Sequence, residues 1–192
     1  KIDTFVYRLY SNYEALEAAF RNGILDAMGT VDEFSVSYKE EYTGFKQYSV
    51  VLNSRLRMIF INTRKERLEN KDIRIALNHI TNKEALLEKA QISGEIAYGP
   101  IAQSSWAYKE DSIVKYEYDP QKAEEIFTKL GYKKIESKEY YETEDEKILN
   151  FSLSYYDNIL NERIALALKE LWKQEGVVLD LEPLSYTQLT QE

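Results

Sequence analysis

Histidine and cysteine carry out much of hydrolytic and metal-dependent chemistry, and this sequence is poor in both. It holds one histidine, His79, and no cysteine. Thiolate nucleophiles and zinc sites of the Cys/His kind are therefore excluded. A catalytic triad could use only His79 as its base, and no G-x-S-x-G segment or comparable motif accompanies it. The pattern favours a structural role for His79, at a helix end or on the surface.

Carboxylates and tyrosines are the other residues whose number invites a chemical interpretation. With 33 aspartates and glutamates, carboxylate pairs of the glycosidase type arise by chance. The acidic run 142–146 lacks the ligand spacing and central glycine of an EF-hand loop, and no glycine-rich phosphate-binding motif occurs. The 16 tyrosines and two tryptophans suit a cleft that holds varied ligands by stacking and a few hydrogen bonds. Sheet coverage is the alternative role for many of these tyrosines.

Length and charge limit the class of protein. The 192 residues, 44% of them apolar, suffice for one domain with a core or for one lobe of something larger. The net charge of -8 repels phosphate backbones, so we expect no nucleic acid partner. No apolar run approaches the roughly 20 residues that span a bilayer. Lys1 opens onto a strand-like run without a signal peptide, so we interpret the chain as excised from a longer polypeptide.

Hydrophobic periodicity predicts the elements that would position any site. Residues 3–9 alternate like a strand, and residues 12–23 carry a helical apolar stripe that Gly23 ends. The stretch 42–63 is rich in β-branched and aromatic residues, which predicts a pair of strands, the second ending at Asn62.

Two helices and a long loop are predicted next. Apolar side chains recur at helical spacing in 70–80, and a second helix begins at Thr81 or Asn82. His79 lies off the apolar stripe. Residues 91–118 show no sustained period and predict a long ordered loop. The stripe consists of Ile73, Ala76, Leu77 and Ile80.

The second half of the chain mixes helices and strands. Asp119 and Pro120 predict a helix start, because a capping side chain followed by proline favours one, and Gly131 ends this helix. The remaining predictions are two strands around an acidic turn, a helix, and a strand leading to a helix start near Ser185, over residues 133–141, 147–156, 162–176 and 177–183. The order predicts an α/β or α+β fold, with a mixed β-sheet flanked by helices.

Four segments resemble, in order, consecutive blocks of one known family. They are YEALEAAFRNGILDAM, FINTRKERLENKDIRIALNHITNKEAL, YGPIAQSSWAY and YEYDPQKAEEIFTKLGY. These segments are similar to blocks of the family 5 extracellular solute-binding proteins, the peptide and nickel receptors of bacterial ABC importers. In the second block Leu68 replaces an aromatic residue, Asn70 an acid and Arg67 a proline. The resemblance covers almost the whole chain.

The resemblance implies a non-enzymatic receptor without a cofactor. Its fold would be one lobe of a two-lobed periplasmic-binding-protein-like type II fold, whose lobes close over a ligand. Residues 1–192 would form a single ligand-binding lobe, the later one of the longer receptor. The partners implied are a short peptide, the permease subunits of the importer and the missing first lobe. The protein would be extracellular, as a lipid-anchored lipoprotein at the cell surface, or periplasmic.

The resemblance also indicates a ligand-facing segment, the strand-to-helix loop SYYDNILN at 154–161. Loops at strand ends beside a helix N-terminus commonly bind ligands. The dipeptide receptors use an arginine in this loop, whereas Arg163 here is already inside the helix. Capping or sheet coverage remains the alternative role for each position. The predicted ligand-binding residues are Tyr155, Tyr156, Asn158 and Asn161, with Trp106 from the long loop as a further wall.

Other functions remain open on the same scaffold. Nickel receptors of the family can use histidine, but His79 lies in a helix that the family packs against its sheet, so we expect no metal site there. Another solute, a sensor domain of a transcriptional regulator, and an enzyme that adopted this scaffold are further alternatives. A basic helix-turn-helix region upstream in the parent gene would favour the regulator, and a lipobox cysteine would favour the receptor.

Overall fold

The structure is a computed structural model that describes residues 2–29, 56–92, 94–135 and 139–191. The chain divides into two compact units, Lys1–Phe45 and Lys46–Glu192. The interpretation of the whole chain as a single lobe stays a prediction.

The first unit contains one helix, α1 (Tyr13–Arg21), where the sequence predicts it. The Asn12 side chain accepts a hydrogen bond from the backbone N–H of Ala15 at 2.9 Å and so caps the helix. Gly23, just beyond the end, has a φ of +68°, a conformation that glycine adopts without strain.

The predicted strand over residues 3–9 is wrong. Residues 2–10 have no regular secondary structure, and Phe5, Tyr7 and Leu9 are exposed. Alternation of side chains produces a strand only where a neighbouring strand supplies backbone hydrogen bonds, and none does so among the described residues of this unit.

The second unit holds the remaining helices and all the described strands. Asn70, Asn82, Asp119 and Asn158 each cap a helix by accepting from a backbone N–H. The predicted start at Asp119 and Pro120 is confirmed. In chain order the elements are α2 (Lys71–Ile80), α3 (Lys83–Ala90), a 3-10 turn (Glu110–Ser112), α4 (Pro120–Lys129), β1 (Lys133–Ile135), β2 (Tyr140–Glu142), β3 (Asn150–Tyr156), α5 (Ile159–Gln174), β4 (Val178–Leu184) and α6 (Tyr186–Gln191).

Strands β3 and β4 form a parallel pair, with α5 as the crossover between them. The register runs from Asn150 opposite Val178 to Tyr156 opposite Leu184. One face of the pair is apolar and packs on helices, while the other carries polar side chains, as strand alternation requires. The apolar face presents Phe151, Leu153, Leu179 and Leu181, and the polar face Ser152, Ser154, Asp180 and Glu182.

The prediction of one continuous strand over 133–141 is wrong. The chain reverses within it, so that β1 and β2 pair with each other in antiparallel register, Lys133 opposite Glu142. Glu139, just before β2, has a φ of +58°, a conformation that interrupts an extended strand. Residues 136–138 lie outside the described part.

The predicted strand pair over 42–63 is only partly described. Its first part, up to residue 55, lies outside the described residues. Residues 56–62 have no regular structure, so the prediction of a strand ending at Asn62 is wrong. Phe60 is 86% exposed.

The core of the second unit lies between the apolar sheet face and helices α2, α4 and α5. The predicted stripe of α2 is buried at all its positions. Phe127 of α4 and Leu168 of α5 are both fully buried, and the ring of Phe127 lies 5.0 Å from that of Tyr141. Apolar burial of this kind is the main contribution to folding. Among the described residues, no helix has the length and apolar content to span a membrane.

Candidate functional site

The junction between β3 and α5 (residues 155–161, "the β3–α5 junction") combines the carboxyl end of a parallel strand with a helix N-terminus. Asp157 N–H donates to the Leu184 carbonyl at 2.9 Å, which extends the strand pairing by one step. The chain then turns into α5, where Asn158 is the cap. Ligands of α/β proteins commonly bind at such positions, beyond the carboxyl ends of strands.

The two asparagines at the junction use their side chains within it. Asn158 Oδ1 accepts from the backbone N–H of Asn161 at 2.8 Å, and Asn161 Nδ2 donates to the Tyr156 carbonyl at 2.9 Å. The structure therefore assigns a capping role to Asn158 and a loop-bracing role to Asn161. Direct contact of either with a ligand stays a prediction.

The two tyrosines at the end of β3 lie on opposite faces of the sheet, because successive side chains of a strand alternate. Tyr156 is 42% exposed, and its ring meets that of Tyr186 edge to face at 6.1 Å. Tyr155 is half-buried on the other face. Burial raises the pKa of the Tyr155 hydroxyl, and the nearby Glu162 and Asp157 carboxylates raise this pKa further. The two tyrosines thus do not form one continuous wall.

Trp106 lies in the long loop with 98% of its surface exposed. The loop itself is confirmed, since its described residues contain only the 3-10 turn. No described residue forms a hydrogen bond or ring contact with Trp106. The structure therefore does not join it to the β3–α5 junction, and its contact with a ligand stays a prediction.

Two arginines differ in their relation to the junction. The guanidinium of Arg163 donates to the carbonyls of Ala90 and Gln91 at the end of α3, the second at 2.8 Å. Arg57, distant in sequence, places its Nη1 3.3 Å from Asn161 Oδ1. Sequence reasoning missed Arg57 because 104 residues separate the two partners and no local pattern connects them.

His79 lies in the last turn of α2, so the predicted helix-end position is confirmed, but it is buried, so the predicted surface position is wrong. It is 4% exposed, and Nδ1 lies 2.7 Å from the Glu117 carbonyl oxygen. Because a carbonyl only accepts, Nδ1 must carry the proton and donate. Nε2 is buried without a hydrogen-bond partner among the described residues. The chain near Glu117 covers this side of α2, and the Asp119 N–H also donates to the His79 carbonyl at 2.9 Å.

The buried His79 side chain connects α2 to the end of the long loop through its hydrogen bond to the Glu117 carbonyl. We expect His79→Ala to lower the free energy of unfolding by about 2 kcal/mol, because the Glu117 carbonyl loses its donor. His79→Asn should lose less, since an amide nitrogen reaches the same carbonyl. Urea denaturation measures both. Equal losses in the two variants would show that the hydrogen bond is not the cause.

A cleft lies between the start of α3 and the end of the long loop. Its volume is about 220 Å³, and Tyr98, Tyr116 and Lys83 are among its lining residues. Lys83 Nζ donates to the Tyr116 carbonyl at 3.0 Å and lies 5.4 Å from the Tyr98 ring centre. Burial lowers the pKa of Lys83, partly offset by Glu84. One hydrogen-bond donor of the Lys83 ammonium is thus already used within the protein.

The capping role of Asn158 can be separated from ligand contact. We expect Asn158→Ala to lower the free energy of unfolding by about 1 kcal/mol, the usual effect of losing an N-cap. Asn158→Ser should keep the cap and most of this stability. If the serine variant is stable but binds ligand more weakly, Asn158 also contacts the ligand. Thermal unfolding and a binding titration on the same samples give the two results.

Comparison with known proteins identifies relatives along the entire chain. The profile of the family "Bacterial extracellular solute-binding proteins, family 5 Middle" matches residues 1–192. Oligopeptide-binding protein AppA of Bacillus subtilis is 24% identical over 198 residues, which cover 100% of this chain and 35% of AppA. Heme-binding protein A of Haemophilus influenzae is 37% identical over 75 residues, 38% of this chain and 14% of that protein. The chain thus spans about a third or less of these relatives.

Solved structures agree with this assignment. AppA of Bacillus subtilis in complex with a nonapeptide matches with a TM-score of 0.60 and 26% identity, over 68% of this chain and 26% of AppA. NikZ of Campylobacter jejuni in complex with Ni(L-His) matches with a TM-score of 0.61 and 26% identity, over 90% of this chain and 35% of NikZ. The predicted mixed fold, part of a lobe of the periplasmic-binding-protein-like type II fold, is confirmed. The chain belongs to the family 5 bacterial extracellular solute-binding proteins.

Proposed function

We propose that this chain is part of the substrate-binding component of an ABC importer and that its ligand is a peptide. The main support is the match of this entire chain to part of an oligopeptide-binding protein, AppA, whose structure has been solved with a nonapeptide. The location of the β3–α5 junction supports a ligand face there. Exposed Tyr156 and Tyr186 provide apolar area with polar tips, which suits varied peptide side chains.

The proposal includes a mechanism of capture. Residues 1–192 act as one lobe, and a first lobe elsewhere in the full-length protein closes over the peptide by a hinge motion. The closed state is then presented to the permease subunits. The protein works outside the cytoplasm, as a surface lipoprotein or in the periplasm, and catalyses no reaction. We expect the isolated chain to bind only weakly, because one lobe leaves most of a peptide in water.

A nickel chelate is the second candidate ligand. NikZ, solved with Ni(L-His), covers 90% of this chain at 26% identity. The buried His79 offers no open ligand position, and the described residues contain no group of three or more His, Asp or Glu side chains suited to a metal ion. A metal would therefore have to arrive with ligands of its own.

Calorimetric titration of the full-length protein, freed of bound ligand by unfolding and refolding, separates these functions. Peptide pools of graded length, the nickel–histidine chelate and an oligosaccharide are titrated in parallel. The proposal expects micromolar or tighter binding for a peptide pool. Binding of the chelate or the sugar, with no response to any peptide, would overturn the peptide assignment while leaving the family intact.

A further inference from the structure

We propose that Arg57 is a specificity-determining residue of the β3–α5 junction and that it binds a carboxylate of the ligand. This inference rests on the proposed peptide-binding function. Its chemistry is that of a guanidinium, which holds a carboxylate by two parallel hydrogen bonds. The carboxylate can be the peptide's C-terminus or an acidic side chain, and the experiment below distinguishes the two.

One hydrogen bond places the Arg57 guanidinium at the junction. Nη1 lies 3.3 Å from Asn161 Oδ1. Asn161 is itself held in place, since its Nδ2 donates to the Tyr156 carbonyl and its N–H to Asn158 Oδ1. A braced asparagine therefore orients the guanidinium at the start of α5, where backbone N–H groups also favour an anion.

The guanidinium has unused binding capacity. Arg57 is exposed and makes one long hydrogen bond, to a neutral amide, although an arginine has five N–H donors. Among the described residues it has no ion pair and no other partner. Arg67 and Arg74, by contrast, each donate to backbone carbonyls and so stabilise the fold. An incoming carboxylate would thus displace no existing ion pair.

Among the described residues, no other lysine or arginine side chain forms a hydrogen bond with the junction. Arg163, the arginine nearest to it in sequence, is committed to the end of α3. Arg57 is the one lysine or arginine whose side chain is bonded to residues 155–161 within the described part of the chain. The Asp157 and Glu162 carboxylates repel a ligand carboxylate at the junction, and the Arg57 guanidinium counteracts this repulsion. We therefore expect its removal to have a selective effect on anionic ligands.

The test compares Arg57→Gln with Arg64→Gln in the full-length protein. Arg64 is a matched control because it is also exposed and its guanidinium bonds to none of the described residues, while its backbone N–H donates to Asn62 Oδ1. The peptide that binds best in the titrations above is used as the free acid and as the C-terminal amide. A second pair of amidated peptides differs only by glutamate against glutamine. Calorimetry gives the affinities and thermal unfolding checks that each variant is folded.

Arg57→Gln should weaken binding of the carboxylate-bearing member of one pair about tenfold, the effect of losing a charged hydrogen bond. The neutral member should bind unchanged, Arg64→Gln should leave both unchanged, and Arg57→Lys should restore part of the loss. A selective loss in the first pair identifies the C-terminus, and in the second an acidic side chain. Equal loss for charged and neutral members, or no loss, would overturn the inference while peptide binding stands. If no peptide binds the unaltered protein, the proposed function and the inference fall together.

Discussion

Replacing Phe127 by alanine is expected to lower the free energy of unfolding by about 4 kcal/mol. The side chain is fully buried in α4, and its ring meets Tyr141 at 5.0 Å. Its removal loses apolar burial and leaves a cavity between α4 and β2, because the surrounding elements are held by their own pairings. Urea denaturation followed by circular dichroism measures the change as a shift of the transition midpoint.

Phe60→Ala is the matched control for this prediction. Phe60 is 86% exposed, so the same change of residue type should alter the free energy of unfolding by no more than about 0.5 kcal/mol. Comparable losses in the two variants would contradict the placement of the core between α2, α4, α5 and the sheet.

Gly176→Ala is expected to lower the free energy of unfolding by about 3 kcal/mol. Gly176 has a φ of +85°, which alone is unfavourable by about 1–2 kcal/mol for other residues. A Cβ at this position would lie 3.1 Å from two carbons of the Tyr141 ring and 3.3 Å from Lys134 Cε. The backbone cannot easily move away, because the Gly176 carbonyl accepts from the Tyr141 N–H at 2.8 Å. Overpacking of this kind adds about 1–3 kcal/mol.

Gly131→Ala separates the two contributions. Gly131 has a similar φ of +87°, but a Cβ there would meet no atom within 4 Å. Only the backbone term applies, so we expect a loss of about 1 kcal/mol. Thermal unfolding of the two variants side by side gives the difference. A loss at Gly131 as large as that at Gly176 would show that contact with Tyr141 is unimportant.

Helices were predicted well because their signals are local. Asp119 with Pro120 acts within four residues of the helix it starts, and Asn82 caps α3 through a bond to Ala85 N–H. Strand predictions over 3–9 and 56–62 failed because a strand depends on a partner that composition does not specify. The burial of His79 was not predicted, for a related reason. Helical periodicity identifies only the face of α2 that packs on the core. His79 lies on another face, which is covered by the chain at Glu117, 38 residues away in sequence.

The local structure of the β3–α5 junction is predictable from the sequence, but its side-chain contacts are not. The β3–α5 junction follows from a strand pattern that runs into a helix, and the structure forms it there. Strand alternation already required Tyr155 and Tyr156 to face opposite sides. Arg57 could not be predicted, because it reaches Asn161 only through the tertiary fold.

Native and then denaturing mass spectrometry of the intact full-length protein, as purified, is the most direct test of the peptide-receptor function. A ligand captured in the cell and held between closed lobes survives purification when its dissociation is slow. The function proposed above predicts a ladder of released masses that fit short peptides, and the spacing of the ladder would give the preferred length. A single increment of the mass of a metal chelate or a sugar would retain the fold and the family and contradict the peptide assignment.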